Sequence, residues 1–228
     1  MPRINQPISE AVYESSFNNK WVNMYETFKN NFTNPKRVLY PSCGTDISPS
    51  KVFSNITYVD VDQACINTLI KDNLEAYCIN IDKFVPNQKF DLLILLNPAI
   101  SSYKATKHLA DNGYVIANNY HSNAKELFDD DNFSLQGIIK LSDASLDADF
   151  NGLFEQYESV DELRETKPEK YDYFYNMFKC VLVDNMGLKI SSPEELFARA
   201  DEMQLGGLPY KKGPDDDFYV FKKISSTN

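Results

Sequence analysis

Cys43, Asp46, Asp60, Asp82, Asn97 and His121 are the side chains whose types and positions point to chemistry. Cys43 stands in Pro41-Ser42-Cys43-Gly44-Thr45-Asp46, just before Ser48-Pro49, a helix start able to lower a thiol pKa. A cysteine nucleophile also needs a base. His121 is the histidine that falls at a strand end, but no Cys–His signature joins the two. Following Asn118-Asn119-Tyr120, His121 is a candidate substrate contact or general base. His108 lies in a helical stretch and reads as structural. Cys43, Cys65, Cys78 and Cys180 are widely spaced with no C-x-x-C pair, and the chain has only 2 histidines, so no metal centre is expected.

The segment around Gly44 is the most informative. Backbone that approaches a ligand closely needs glycine, and Gly44 is the one available there. Without G-K-[ST] the loop is not that of a P-loop ATPase, and without G-x-G-x-x-G it does not fit a dinucleotide. A turn with a single glycine suits a ligand that has no pyrophosphate to cradle. Asp60 ends the next apolar run, 20 residues after Tyr40. An acid there can accept hydrogen bonds from both hydroxyls of a ribose; an ordinary loop role is the alternative. Asp62 reads as a helix cap, and Asp82-Lys83 suits a plain loop as well as a ligand contact.

The elements that position these residues alternate. A helix is expected over 9–32, capped by Ser9, from the spacing of Val12, Phe17, Trp21, Met24, Tyr25 and Phe28. Short apolar strands follow at 38–40, 56–59, 76–79, 90–96 and 114–117, with helices between them from Ser48-Pro49, over 63–71 and over 102–110. The run Phe90–Leu96 reads as a strand buried on both faces of a parallel sheet. A helix over 123–128, a sixth strand over 134–140 and a last strand over 218–222 complete the set. Such alternation predicts a doubly wound, mainly parallel sheet of seven strands, with the last antiparallel. Ligand loops then lie at the carboxyl ends of the strands: 41–47, 60–62, 80–84, 97–103 and 118–122. Residues 1–141 with 213–228 read as this core, and 142–212 as an acidic helical insertion before the last strand. Within the insertion, Ser192-Pro193-Glu194-Glu195 is a capping box, and its helix is expected to stop at Gly206-Gly207.

Taken together, residues 36–140 resemble the class I S-adenosylmethionine-dependent methyltransferases, which have a Rossmann-like fold. Val38 to Asp46 is similar to the family's first motif, and Tyr58-Val59-Asp60-Val61-Asp62 to its acidic second motif. Ile81-Asp82 matches the acid near the adenine, Phe90 to Pro98 the fourth-strand motif, and Asp111-Asn112-Gly113-Tyr114 the turn before strand five. The first motif keeps one glycine, and Asn97-Pro98-Ala99-Ile100 stands in place of N-P-P-[YF]. The resemblance implies S-adenosylmethionine as cofactor, bound by Ser42, Cys43, Gly44, Asp46, Asp60, Val61, Asp82 and Asn97. Methyl transfer is an in-line displacement, so such a protein mainly positions two ligands and excludes water. A non-catalytic interaction module that keeps the sheet but has lost cofactor turnover is the rival reading.

Charge narrows the partners. The chain carries 33 acidic and 23 basic residues, a net of −10, and residues 142–217 hold 18 of the acids against 8 bases. The remainder is neutral and has no basic stripe, so a long nucleic acid is a poor partner. A small-molecule or protein methyl acceptor is expected instead. No apolar run reaches the ~20 residues of a membrane span. The amino-terminal residues lack the apolar stretch of a secretory signal, which points to a cytoplasmic protein. The aromatic residues Phe150, Phe154, Tyr157, Phe174 and Phe178 demand burial, which suggests that 142–190 forms a helical lid with acceptor contacts.

Overall fold

The computed structural model describes residues 13–98, 100–203, 205, 207–211 and 217–225. The chain divides into two compact units, one of residues 1–149 with 214–228 and the other of residues 150–213.

In the first unit, α1 spans Asn19–Asn31. It opens where the Asn18 side chain accepts from the Lys20 N–H at 2.9 Å. Ser9, the expected cap, lies outside the described residues. Phe17 lies ahead of the helix and is exposed, while Met24, Tyr25 and Phe28 form its buried face. There follow β1 (Val38–Pro41), β2 (Ile56–Asp60), α2 (Gln63–Lys71), β3 (Glu75–Cys78), β4 (Phe90–Leu95) and α3 (Ser102–Thr106). Then come β5 (Leu109–Ala117), α4 (Asn123–Phe128), β6 (Phe133–Ile139), β7 (Leu146–Asp147) and, from the end of the chain, β8 (Phe218–Lys223).

The strands form one sheet in the order β3-β2-β1-β4-β5-β8-β6-β7. Strands β1 to β5 pair in parallel, and β8 enters antiparallel between β5 and β6. The doubly wound, mainly parallel sheet closing on an antiparallel last strand is therefore present. It has eight strands rather than seven, because residues 142–149 contribute the short β7, antiparallel to β6.

Two local expectations are corrected. After β1 the helix expected from Ser48-Pro49 is a single 3-10 turn, Ser48–Lys51, since few residues separate the loop from β2. The turn at Asp111-Asn112-Gly113 is instead a bulge inside β5. Its register with β4 jumps from Phe90↔Leu109 to Leu92↔Tyr114, and Asn112 sits at φ +61°. Gly113 is needed there because a Cβ would stand 2.9 Å from the Ala110 carbonyl oxygen.

The pleat sends alternate strand residues to opposite faces. Val38, Tyr40, Tyr58, Leu92, Ile94, Ile116 and Val220 pack with α1 and α2 in one core. Leu39, Val59, Leu93, Leu95, Val115 and Phe221 are buried on the other face. Continuous apolarity in β4 is thus explained by burial on both sides.

The second unit has a core of its own. It contains α5 (Val160–Thr166), α6 (Pro168–Phe178), a π-helical segment (Lys179–Asn185) and α7 (Pro193–Glu202). Leu163, Phe178, Leu182, Leu196, Phe197 and Ala200 are buried together, and Tyr171 stacks on both Tyr175 and Phe197. The box at Ser192 forms in part. Ser192 Oγ accepts from the Glu195 N–H at 3.2 Å, while Glu195 reaches back to the N–H of Ser191 at 2.8 Å. Gly206 lies outside the described residues, and α7 ends at Glu202. Residues 150–213 hold 12 acids and 8 bases, so much of the acidic surplus flanks this unit, at 143, 147, 149 and 215–217.

Candidate functional site

Strands β1 to β3 run outward on one side of the sheet, and β4 and β5 on the other. The switch point therefore lies between the carboxyl ends of β1 and β4, where open α/β sheets bind ligands. The backbone there is unusual. Ser42 and Gly44 after β1 take φ +52° and +55°, Asn97 after β4 takes +50°, and Ser122 after β5 takes +63°. Residues other than glycine rarely adopt this region, and such outliers cluster at ligand sites.

Hydrogen bonds to β2 hold the turn after β1. The Ser42 N–H donates to the Val59 carbonyl at 2.8 Å, and the Gly44 N–H to Asp60 Oδ2 at 2.9 Å. The other oxygen of Asp60 accepts from the Asp62 N–H at 3.0 Å. Asp62 in turn caps α2 through the N–H groups of Ala64 and Cys65, as expected of it. Asp60 thus ties the glycine turn to the start of α2, and beside it Val61 is 70% exposed. A Cβ built on Gly44 would meet nothing within 4 Å. Protein packing leaves that side of the turn open, so glycine is favoured there by its φ and not by a close approach of the protein. Gly44→Ala is expected to cost about 1 kcal/mol of stability for the left-handed backbone. It should weaken ligand binding tenfold or more by placing a methyl group in the open space; melting and calorimetry on one preparation separate the two effects.

Cys43 and Asp46 face inward. Cys43 is 4% exposed, and burial, followed by the nearby Asp60 carboxylate, pushes its thiol far up. This corrects the expectation of a helix-lowered thiol: no long helix follows, and desolvation dominates. Asp46 Oδ1 accepts from the Ser48 N–H at 2.9 Å and from Ser48 Oγ, and Oδ2 accepts from the Tyr40 hydroxyl at 3.1 Å. The same Ser48 Oγ accepts from the Asn18 N–H at 2.8 Å, linking the start of α1 to this turn. Burial raises the pKa of Asp46, against the lowering effect of its Ser48 and Tyr40 hydrogen bonds. The sign follows by linkage. A carboxyl raised in the folded state contributes stability that is complete below its unfolded pKa of about 3.9 and is lost as pH rises through the folded value. Melting curves should therefore show Asp46→Asn losing less stability than the native chain as pH rises from about 4. Equal slopes would sink the assignment.

The remaining candidates lie around the other loops. Asp82, after β3, pairs with Lys104 and Lys107 at 3.6 Å each, and its carbonyl accepts from Lys107 Nζ at 3.1 Å. The loop after β3 is thereby tied to α3. His108 follows α3, which ends at Thr106 and not at 110 as expected, and is buried with Nε2 3.2 Å from the Ile81 carbonyl. His121 is exposed at the rim beside Tyr120, ring centroids 5.1 Å apart, and partial desolvation holds its imidazole below the ordinary value. Asn97 is joined to Asn118, which the sequence reading passed over although it stands at the end of the fifth strand. Among the described residues, no group of three or more His, Cys, Asp or Glu side chains could hold a metal ion. No described helix is long and apolar enough to cross a membrane.

No protein-family model matches the chain, and no curated protein matches it in sequence. Solved structures similar to it include an N-methyltransferase, NodS, from Bradyrhizobium japonicum in complex with S-adenosyl-L-homocysteine. That structure is 14% identical, with a TM-score of 0.38 over 43% of this chain and 59% of that one. An S-adenosylmethionine-dependent methyltransferase from Clostridium acetobutylicum is 22% identical, with a TM-score of 0.35 over 52% and 61%. The O-methyltransferase of a Brevibacillus brevis polyketide synthase multienzyme, also with S-adenosyl-L-homocysteine, is 13% identical, with a TM-score of 0.43 over 90% and 72%. The chain spans less than two thirds of the length of the first two.

Proposed function

We propose that this chain is an S-adenosylmethionine-dependent methyltransferase acting on a small molecule or a protein, with the cofactor lying across the carboxyl ends of β1, β2 and β3. The observation that carries the reading is the open side of Gly44 at the switch point, with the Asp60 carboxylate beside it. Each oxygen of Asp60 holds one backbone N–H and keeps a second lone pair for a ribose hydroxyl. Ser42 and Gly44 set the path of the turn, and Cys43 and Asp46 brace it from behind. Val61 offers exposed apolar surface next to Asp60, while Asp82 and Asn97 mark the two flanks.

When bound, S-adenosylmethionine supplies an electrophilic methyl group. The chain's own task is then to align the two reactants and exclude water. His121, whose imidazole partial desolvation holds below its ordinary pKa, is a rim group suited to take a proton from an acceptor. The absence of a basic stripe in the sequence favours a small-molecule or protein acceptor over nucleic acid.

The second reading, a non-catalytic interaction module, is favoured by a specific observation. Asp82 already has protein partners in Lys104 and Lys107. Calorimetry with S-adenosylmethionine, S-adenosylhomocysteine and NAD tests the cofactor reading, and release of S-adenosylhomocysteine on turnover separates an enzyme from a module that only binds. Binding of the first two and not of NAD is expected, and failure to bind either sinks the methyltransferase reading.

A further inference from the structure

Asn97 and Asn118 form a reciprocal pair across the carboxyl ends of β4 and β5. The Asn97 N–H donates to Asn118 Oδ1 at 2.9 Å, and Asn118 Nδ2 donates to Asn97 Oδ1 at 2.6 Å. The Asn118 N–H itself bonds the Leu95 carbonyl at 3.1 Å, so the residue is held at both backbone and side chain. Asn118 is 1% exposed, whereas Asn97 is exposed at φ +50°.

The chemistry of the groups fixes both amide orientations. A backbone N–H can only donate, so the oxygen of Asn118 must face Asn97. That leaves the Asn118 NH₂ group to meet the second atom of the pair, which must be the oxygen of Asn97. The Asn97 Nδ2 is then the end left over. Among the described residues no hydrogen bond from it to the protein is formed. Two donor hydrogens are thus presented at the carboxyl end of β4 by an exposed side chain held through Asn118.

We propose that Asn118 is a positioning residue, holding the Asn97 amide so that Nδ2 donates to a carboxylate oxygen of the bound ligand. This rests on the cofactor reading above. With the adenine towards β3 and the ribose at Asp60 on β2, the amino-acid end of the cofactor falls at the switch point beside β4. Its carboxylate is the part of the molecule that most needs donors.

Calorimetry with S-adenosylhomocysteine and 5′-methylthioadenosine, which lacks the amino-acid portion, tests this on four proteins: native, Asn97→Gly, Asn118→Ala and the double variant. Glycine at 97 keeps the left-handed backbone while deleting the donor. Each single variant should bind S-adenosylhomocysteine about tenfold more weakly, the scale of a hydrogen bond to a charged group. The double variant should lose no more than Asn97→Gly, because residues acting through one contact are not additive. All four should bind methylthioadenosine within twofold of one another. Additive losses, or a parallel loss of methylthioadenosine, would reduce Asn118 to a structural role and overturn the proposal. If Asn118→Ala does not fold, the near-isosteric Asn118→Asp replaces it with the same expectation, since its carboxylate turns the Asn97 amide around. A native protein that binds neither ligand overturns the cofactor reading, and a native protein that binds both with Asn97→Gly unchanged overturns this one alone.

Discussion

Replacing Phe218 by alanine should lower the stability of the first unit by about 3–5 kcal/mol, the range for truncating a fully buried aromatic side chain. Phe218 is 0% exposed and packs against Tyr25 and Trp21, with ring centroids 5.1 and 6.3 Å apart. It opens β8, the strand inserted antiparallel between β5 and β6, so it joins the first helix of the chain to its last strand. Its neighbours belong to a helix and a sheet already fixed by other contacts and cannot collapse into the gap. Trp21 is the only tryptophan, which makes its fluorescence a direct reporter in a urea titration. The midpoint should fall with the slope unchanged. A loss under about 1 kcal/mol would mean that α1 and β8 do not share a core.

Asp60→Ala should act on both fold and binding. Removing the carboxylate leaves the N–H groups of Gly44 and Asp62 without their acceptor, at about 1–3 kcal/mol of stability. The glycine turn is then tied to β2 through Ser42 and Cys43, both on the Val59 carbonyl, and α2 keeps its Asp62 cap but loses the bond that orients it. S-adenosylmethionine affinity should fall by a further ~1–3 kcal/mol, the cost of losing a hydrogen bond to a charged group. Asp60→Asn gives the contrast. Its single oxygen can serve one of the two N–H groups, so it should lie between the native chain and the alanine variant in both measurements. If S-adenosylmethionine binds the native chain and the alanine variant equally well, Asp60 holds the turn and does not contact the ribose.

Features that local periodicity and capping dictate were legible in the sequence. The apolar run of β4, the Asp62 cap of α2 and the Ser192 box of α7 all depend on neighbours within a few residues or on alternation along the chain. So did the positions of the loops at the carboxyl ends, because parallel topology leaves them nowhere else to go. What the side chains in those loops do was decided by tertiary structure. Cys43 stands next to a helix-start signal, yet its thiol is governed by desolvation under residues brought from β2 and α1. Asp82 turns to α3 because Lys104 and Lys107 arrive there from more than twenty positions away. The Asn97–Asn118 pair shows the same limit. Two asparagines 21 residues apart carry no mutual signal in the sequence, and only the parallel pairing of β4 with β5 sets their ends side by side, where one backbone N–H settles both amides.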